Sequence, residues 1–225
     1  MNRLGVLVGL AAEARILYRA SGGRVLMEVA AADPARARDG AQRLVAGGAR
    51  ALVSFGIAGA LDPALGAGTV LLAESVTAAA GLSYATDGDW VRRLGARLST
   101  PAAAGAHAGS DTLLATAAAK RELKAATGAL AVDMESHVVA EAAAAAGLPF
   151  IVLRAIADGA EADLPHAALL GYAGGRVRPL RAARALIAAP AETLALLRLA
   201  RDTTRALIAL RRLVRLVGGD LLAPL

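Results

Sequence analysis

Residues 51–76, ALVSFGIAGALDPALGAGTVLLAESV, hold two apolar runs, ALVSFGI and TVLLAESV, on either side of a turn rich in glycine and proline. Runs of this length bounded by turn residues read as buried strands. The alternation continues outward in both directions. LGVLVG precedes a helical pattern over 11–20 and RVLMEVA precedes one over 34–47; then come a helical pattern near 112–126, AVDME before 136–146, and PFIVLRAIA. Gly22-Gly23, Gly47-Gly48 and Gly147 fall where helices must stop and strands begin. Strands alternating with helices in this way predict a three-layer α/β domain. In open α/β sheets ligands gather beyond the carboxyl ends of the strands. That rule singles out Glu13, the turn Gly56 to Gly59, Asp133 through Glu135, and Arg154 through Asp158. Each of these, taken alone, is also compatible with a turn, a cap or a surface ion pair.

The 225 residues suit one domain, 1–225, and at 56% hydrophobic and 20% charged the chain lies far from the composition of disordered segments. No charge-free apolar run approaches the roughly 18 to 20 residues of a bilayer span. The opening MNRLGVLVGL runs at once into Glu13 and Arg15 in a helical pattern, so it reads as a first buried strand rather than a secretory leader. The absence of cysteine excludes disulfides, thiolate zinc sites and thiol catalysis but is compatible with any compartment, and cytoplasm is the default expectation. The net charge of +6 is unevenly spread: from Arg176 to Arg215 there are ten arginines against only Glu192 and Asp202. This predicts a basic amphipathic helical segment over about 176–217. Pro190 is placed to open its last helix, with Arg198, Arg201, Arg205 and Arg212 on one stripe. Leu196, Leu199, Leu207, Leu210, Val214 and Val217 lie opposite. Such a helix either lies on an anionic membrane surface or packs on the domain with its basic face solvated. Nucleic acid is not an expected partner, because residues 190–217 offer no aromatic for stacking.

Four segments in order, VGLAAEARIL, FGIAGALDPALGAGTVLLAESV, GSDTLLA followed by AVDMES, and PFIVLRAIAD, resemble the nucleoside phosphorylase and nucleosidase superfamily that includes the methylthioadenosine/S-adenosylhomocysteine nucleosidases. The resemblance covers most of residues 3–160. It implies a central mixed sheet flanked by helices, a homodimer, no cofactor and no metal, and cleavage of the bond between a purine and ribose. That reaction needs a proton donor at the departing base and ligands for the ribose hydroxyls. By position Asp158 is the acid at the base, where a carboxyl also suits the 6-amino edge of adenine. Glu135 is the ligand of the ribose diol, with Met134 packing on the sugar. Arg154 orients the region and Glu13 helps position the attacking water. Ala58, Gly59, Ser110 and Asp111 are expected near the base or the strand ends. The structural alternatives are a helix N-cap for Asp158, a sheet-edge ion pair for Arg154, ordinary core for Met134 and a solvent-facing helix start for Glu13.

Phosphorylases of the superfamily commonly place a hydroxyl residue in the Gly-rich turn, where this chain has Ile57, and some carry a phosphate-binding arginine where it has Ser54. Water is therefore the favoured nucleophile, with phosphorolysis open if Arg15 or Arg24 supplies cations. Ala157 stands where nucleosidases often have serine, and TAAAGLSYATDGDW reads as a shortened lid that leaves the ribose 5-position open to a bulky group. The stretches GLAAEARIL, FGIAGALDP and VDMESHVVAEAA with the arginine-rich end look most like the hopanoid-associated branch, which implies adenosylhopane as a lipid-linked substrate and a peripheral site on the membrane. The competing readings are a soluble methylthioadenosine or purine nucleosidase or phosphorylase, and a non-catalytic membrane-surface binding module.

Overall fold

The computed structural model describes residues 3–31, 33–78, 81–173, 176–177 and 190–217. The quoted apolar runs form β3 (Ala51–Ala60) and β4 (Val70–Thr77), and those flanking them form β1 (Leu4–Val8), β2 (Leu26–Val29), β7 (Ala131–Asp133) and β8 (Phe150–Asp158). Two strands that the sequence did not announce complete the sheet, β5 (Ser83–Ala85) and β6 (Ala103–Gly109). β3 pairs with β1 and β8 in parallel and with β7 antiparallel, while β4 pairs with β8 and β5 antiparallel and with β6 in parallel. β6 and β7 are parallel neighbours. The sheet is thus mixed, as expected. Strands β3, β7, β6, β4 and β8 also form a closed circuit, which leaves no free edge among them.

Helices cover both faces. On one, α1 (Ala11–Ser21), α3 (Gly88–Gly95) and α7 (Thr193–Val217) contribute Ile16, Leu17, Trp90, Leu210 and Val214 to a core with Val6, Val53 and Leu153. On the other, α2 (Pro34–Ala46) and α5 (Ser136–Ala146) bring Ala37, Ala41, Val138 and Val139 against Leu7, Leu52 and Val152. The helix stops are those read from the sequence: Gly22 and Gly147 are left-handed C-caps with φ of 57° and 63°. Asp33 opens α2 by accepting from the N–H groups of Ala35 and Arg36, with Pro34 at the first position. α4 (Ala117–Thr127) starts later than its apolar pattern, because the Thr116 side chain accepts from Ala119 N and fixes the first turn there.

One expectation is corrected and two are given structural form. The stretch read as a shortened lid is built into the fold, since Ser83–Ala85 pairs with the edge of β4 and Trp90 of α3 is buried. The basic segment does not begin as a helix, because Arg176–Val177 pairs antiparallel with Tyr172–Ala173; residues 178–189 lie outside the described part. The helix proper is α7, whose Ala206, Leu210, Leu213, Val214 and Val217 are buried, so its second half packs on the domain. Among the described residues no helix is long and apolar enough to cross a membrane.

Candidate active site

Two acidic centres stand at the carboxyl ends of the strands. The first is gathered around Arg154, which is fully buried within β8 between β3 and β4, so it is no sheet-edge residue. Its Nη2 pairs with Asp133 and donates to Ser54 Oγ at 2.5 Å and Ser136 Oγ at 3.2 Å, and its Nη1 donates to Ile57 O at 3.3 Å. Glu135 Oε2 is 3.7 Å from Nη2. Glu13, only 1% exposed and so not a solvent-facing residue, accepts from Ile57 N and Leu10 N, both at 2.8 Å. The bond from Leu10 is the returning half of a capping box at the start of α1. Glycine makes room for these carboxylates. A Cβ at Gly56 would stand 2.6 Å from both Glu13 Oε1 and Arg154 Nη1, and one at Gly9 would stand 3.0 Å from Glu135 Oε1.

Arg154 is shared by three buried carboxyls, and their protonation divides accordingly. Burial pushes Glu13 up to about 7, against the pull of Arg154 and the N–H groups of Ile57 and Leu10. Burial also raises Glu135; Arg154 opposes it while the charges of Asp133 and Glu13 add to it. Burial would raise Asp133 as well, but Arg154, His107 and Ser136 together outweigh it and hold that carboxyl well below the usual range. Ser136 Oγ donates to Asp133 Oδ2 at 2.5 Å, and His107 Nε2 stands 3.4 Å from Oδ1, near enough for attraction though not aligned as a hydrogen bond.

The second centre is Asp158. It ends β8 with no helix starting behind it, which excludes an N-cap, and a bulge at Ala157 sets it opposite Gly59. A Cβ at Gly59 would come within 3.0 Å of Asp158 Oδ2. Behind the carboxylate lies Lys120, from the first turn of α4 and buried, whose Nζ donates to Asp158 Oδ2 at 2.5 Å and to the carbonyls of Gly159 and Ala162 at 2.9 Å each. Three acceptors satisfy the three N–H bonds of the ammonium. Asp158, Gly59, Lys120 and Met134 line one cavity, whose rim includes Thr112 and Leu164. Met134 is half-buried there rather than lost in the core.

The other expected residues divide. Ser110 lies at the end of β6 beside the rim, its N–H donating to Asp133 O and its hydroxyl to Thr112 O. Ala58 is buried in the core with Leu71 and Ile156. Asp111 is not brought to the cavity: Arg38 and His137 Nε2 hold it, each at 3.1 Å. Arg24 donates to Ser21 O, and Arg15 lines a separate cleft. Among the described residues no group of three or more His, Cys, Asp or Glu is placed to hold a metal. The sequence reading missed Lys120 and His107. A compositional signal did exist for the first, because Lys120 and Lys124 are the only lysines in a chain whose other cations are all arginines. A compact ammonium suits three converging acceptors as a planar guanidinium does not.

A family model described as the phosphorylase superfamily matches residues 33–173, and the chain belongs to that superfamily. No curated protein sequence matches the chain. Among solved structures the fold is similar to the methylthioadenosine/S-adenosylhomocysteine nucleosidase of S. pneumoniae with a transition-state inhibitor, at 18% identity and TM-score 0.69, covering 96% of this chain and 100% of that one. It is also similar to the S-adenosylhomocysteine nucleosidase of Streptococcus pyogenes in complex with 5-methylthiotubericidin, at 21% identity and TM-score 0.68, covering 98% of both chains. A third is the futalosine hydrolase of Helicobacter pylori, at 16% and 0.68, covering 95% and 97%.

Proposed function

We propose that this chain is a nucleosidase that cleaves the N-glycosidic bond of an adenine nucleoside with water. The observation that carries the reading is Asp158, facing a cavity shared with Met134 and backed by the Lys120 ammonium. Asp158, as the acid at the base, relays to nitrogen 7 the proton that Lys120 Nζ shares with its Oδ2 as the C1′–N9 electron pair moves onto the purine, which leaves a neutral amine beside the Asp158 carboxylate. Glu135 receives the ribose hydroxyls. Water adds to C1′ and gives its proton to Glu13, whose carboxyl, pushed up to about 7, is matched to a base working near neutral pH. Arg154 holds Glu13 and Glu135 in place from strand β8.

The substrate we assign is adenosylhopane, the adenine being released in hopanoid biosynthesis by a single-domain, cytoplasmic homodimer that works peripherally on the membrane. One feature supports an open ribose 5-side and a bulky 5-substituent: Trp90 and Leu94 commit α3 to the core, so this helix is not free to fold over the ribose. Chromatography of the purine released from adenosylhopane and from methylthioadenosine, with and without phosphate, tests the reading. Free adenine and unphosphorylated sugar are expected. A phosphorylated sugar would reassign the enzyme as a phosphorylase, and release from methylthioadenosine alone would make it a soluble nucleosidase. Release from neither would leave a binding module.

A further inference from the structure

A cleft of about 300 Å³ lies between α1 and α7 and shares no residue with the Asp158 cavity. Its walls are Arg15 and Arg19 from α1 and Arg211 and Arg215 from α7, over a floor that includes Ile16 and Val214. Among the described residues no carboxylate lines it. Among the described residues none of the four guanidinium groups makes a hydrogen bond or an ion pair, whereas Arg38, Arg43 and Arg154 all have acidic partners. Four unneutralised cations around one concavity repel each other and create a strongly positive focus, which an anion relieves. The planar fork of arginine fits the paired oxygens of a phosphate.

The surroundings of the cleft identify which phosphate. Leu194, Leu197, Ile208 and Leu216 are exposed on α7, as is Tyr18 on α1. On a 3.6-residue wheel the four α7 residues share less than half the circumference with Arg198, Arg201, Arg205, Arg211, Arg212 and Arg215. The inner arc is the one buried on the domain. A soluble phosphate has no use for exposed leucines beside its cations; a bilayer surface takes both, apolar side chains entering the acyl boundary and arginines meeting headgroups.

We propose that the α1–α7 cleft seats the phosphate of an anionic phospholipid and so docks the outer face of α7 on the bilayer. This deepens the peripheral location proposed above and does not depend on which nucleoside is cleaved. The test uses the full chain with vesicles of phosphatidylcholine alone or mixed with phosphatidylglycerol. Wild type should sediment with the mixed vesicles only. The variants R15K/R211K and R19K/R215K keep every charge but lose the fork. They should bind mixed vesicles about tenfold more weakly, as expected for losing roughly one good hydrogen bond, while R198K/R201K on the outer face should bind as wild type. Replacing the cleft pairs by glutamine should cost about fivefold per charge. All variants should keep the wild-type circular dichroism spectrum and urea midpoint, which reports an intact fold. Equal binding by the cleft lysine variants, or equal binding of wild type to both vesicles, overturns the seat. Calorimetric binding of inorganic phosphate that needs Arg211, with no binding to vesicles, reassigns the cleft to a soluble anion and overturns the lipid. An enzyme that binds vesicles through the cleft yet releases no purine refutes the nucleosidase reading and leaves this one standing.

Discussion

The two acidic centres solve the burial of negative charge in opposite ways. Around Arg154 one guanidinium serves Asp133, Glu13 and Glu135, so carboxyls outnumber cations and the excess is met by holding protons. Around Asp158 one carboxylate has one lysine of its own, and the ammonium's other bonds go to backbone carbonyls. The first arrangement stores protons that a pH change or a ligand can release. The second fixes one side chain in one position. On the proposed reading, a crowded centre suits a base that titrates near neutral pH and takes a proton from water once its own has left, and a balanced one suits a group whose geometry toward a planar base must not vary.

The largest expected difference between the two centres is in their response to pH. A Glu13 carboxyl raised from 4.5 to about 7 on folding means that the native chain binds more protons than the unfolded one between those values. Stability therefore falls as pH rises through that window and levels off above it, by on the order of 3 kcal/mol from this group alone. Glu135 acts in the same direction. Urea titrations at pH 5, 6, 7 and 8 should show the decline, and Glu135→Gln should make it shallower. A midpoint that climbs from pH 5 to 7 would mean the centre holds no protons.

Next in size is Asp158→Asn, which should leave the fold intact and lower purine release by roughly 10²-fold, the usual scale for a positioned general acid. A folded variant with near-wild-type turnover would remove Asp158 from the chemistry. Smaller again is Lys120→Arg, which keeps the charge but cannot direct three bonds to Asp158, Gly159 and Ala162. Turnover should drop about tenfold, equivalent to about 1.4 kcal/mol, with little change in KM. An unchanged rate would show that only charge is needed behind Asp158.

Much of this was legible in the chain. Strands β1, β3, β4 and β8 announce themselves as apolar runs, and Gly22, Gly47 and Gly147 mark the helix ends because each signal is local. β6 did not, since AAGAHAG has no β-branched residue and its single polar side chain, His107, is buried by neighbours distant in sequence. β5 and α3 were hidden for a related reason: a three-residue edge strand and an eight-residue helix are too short to establish a period, and what fixes them is Trp90 in a core built elsewhere. At the site, Asp158, Glu135, Met134 and Glu13 follow from motif position. Lys120 does not, because it sits in an alanine-rich helix and meets its carboxylate across 38 residues. Asp111 shows the converse, a residue at the right place in a motif whose charge is taken by Arg38 and His137.

Ala157 supplies only a methyl group, yet it makes β8 one residue longer than the stretch of β3 it faces, so the chain beyond Ile156 is displaced by one step. Removing it would change neither the inventory of functional groups nor the hydropathy, and would still carry Asp158 out of line with Gly59. The position of the acid is therefore specified by counting as well as by chemistry. A comparison that scores only substitutions is blind to that part of the specification, and redesign of this strand has to conserve its length before it conserves its letters.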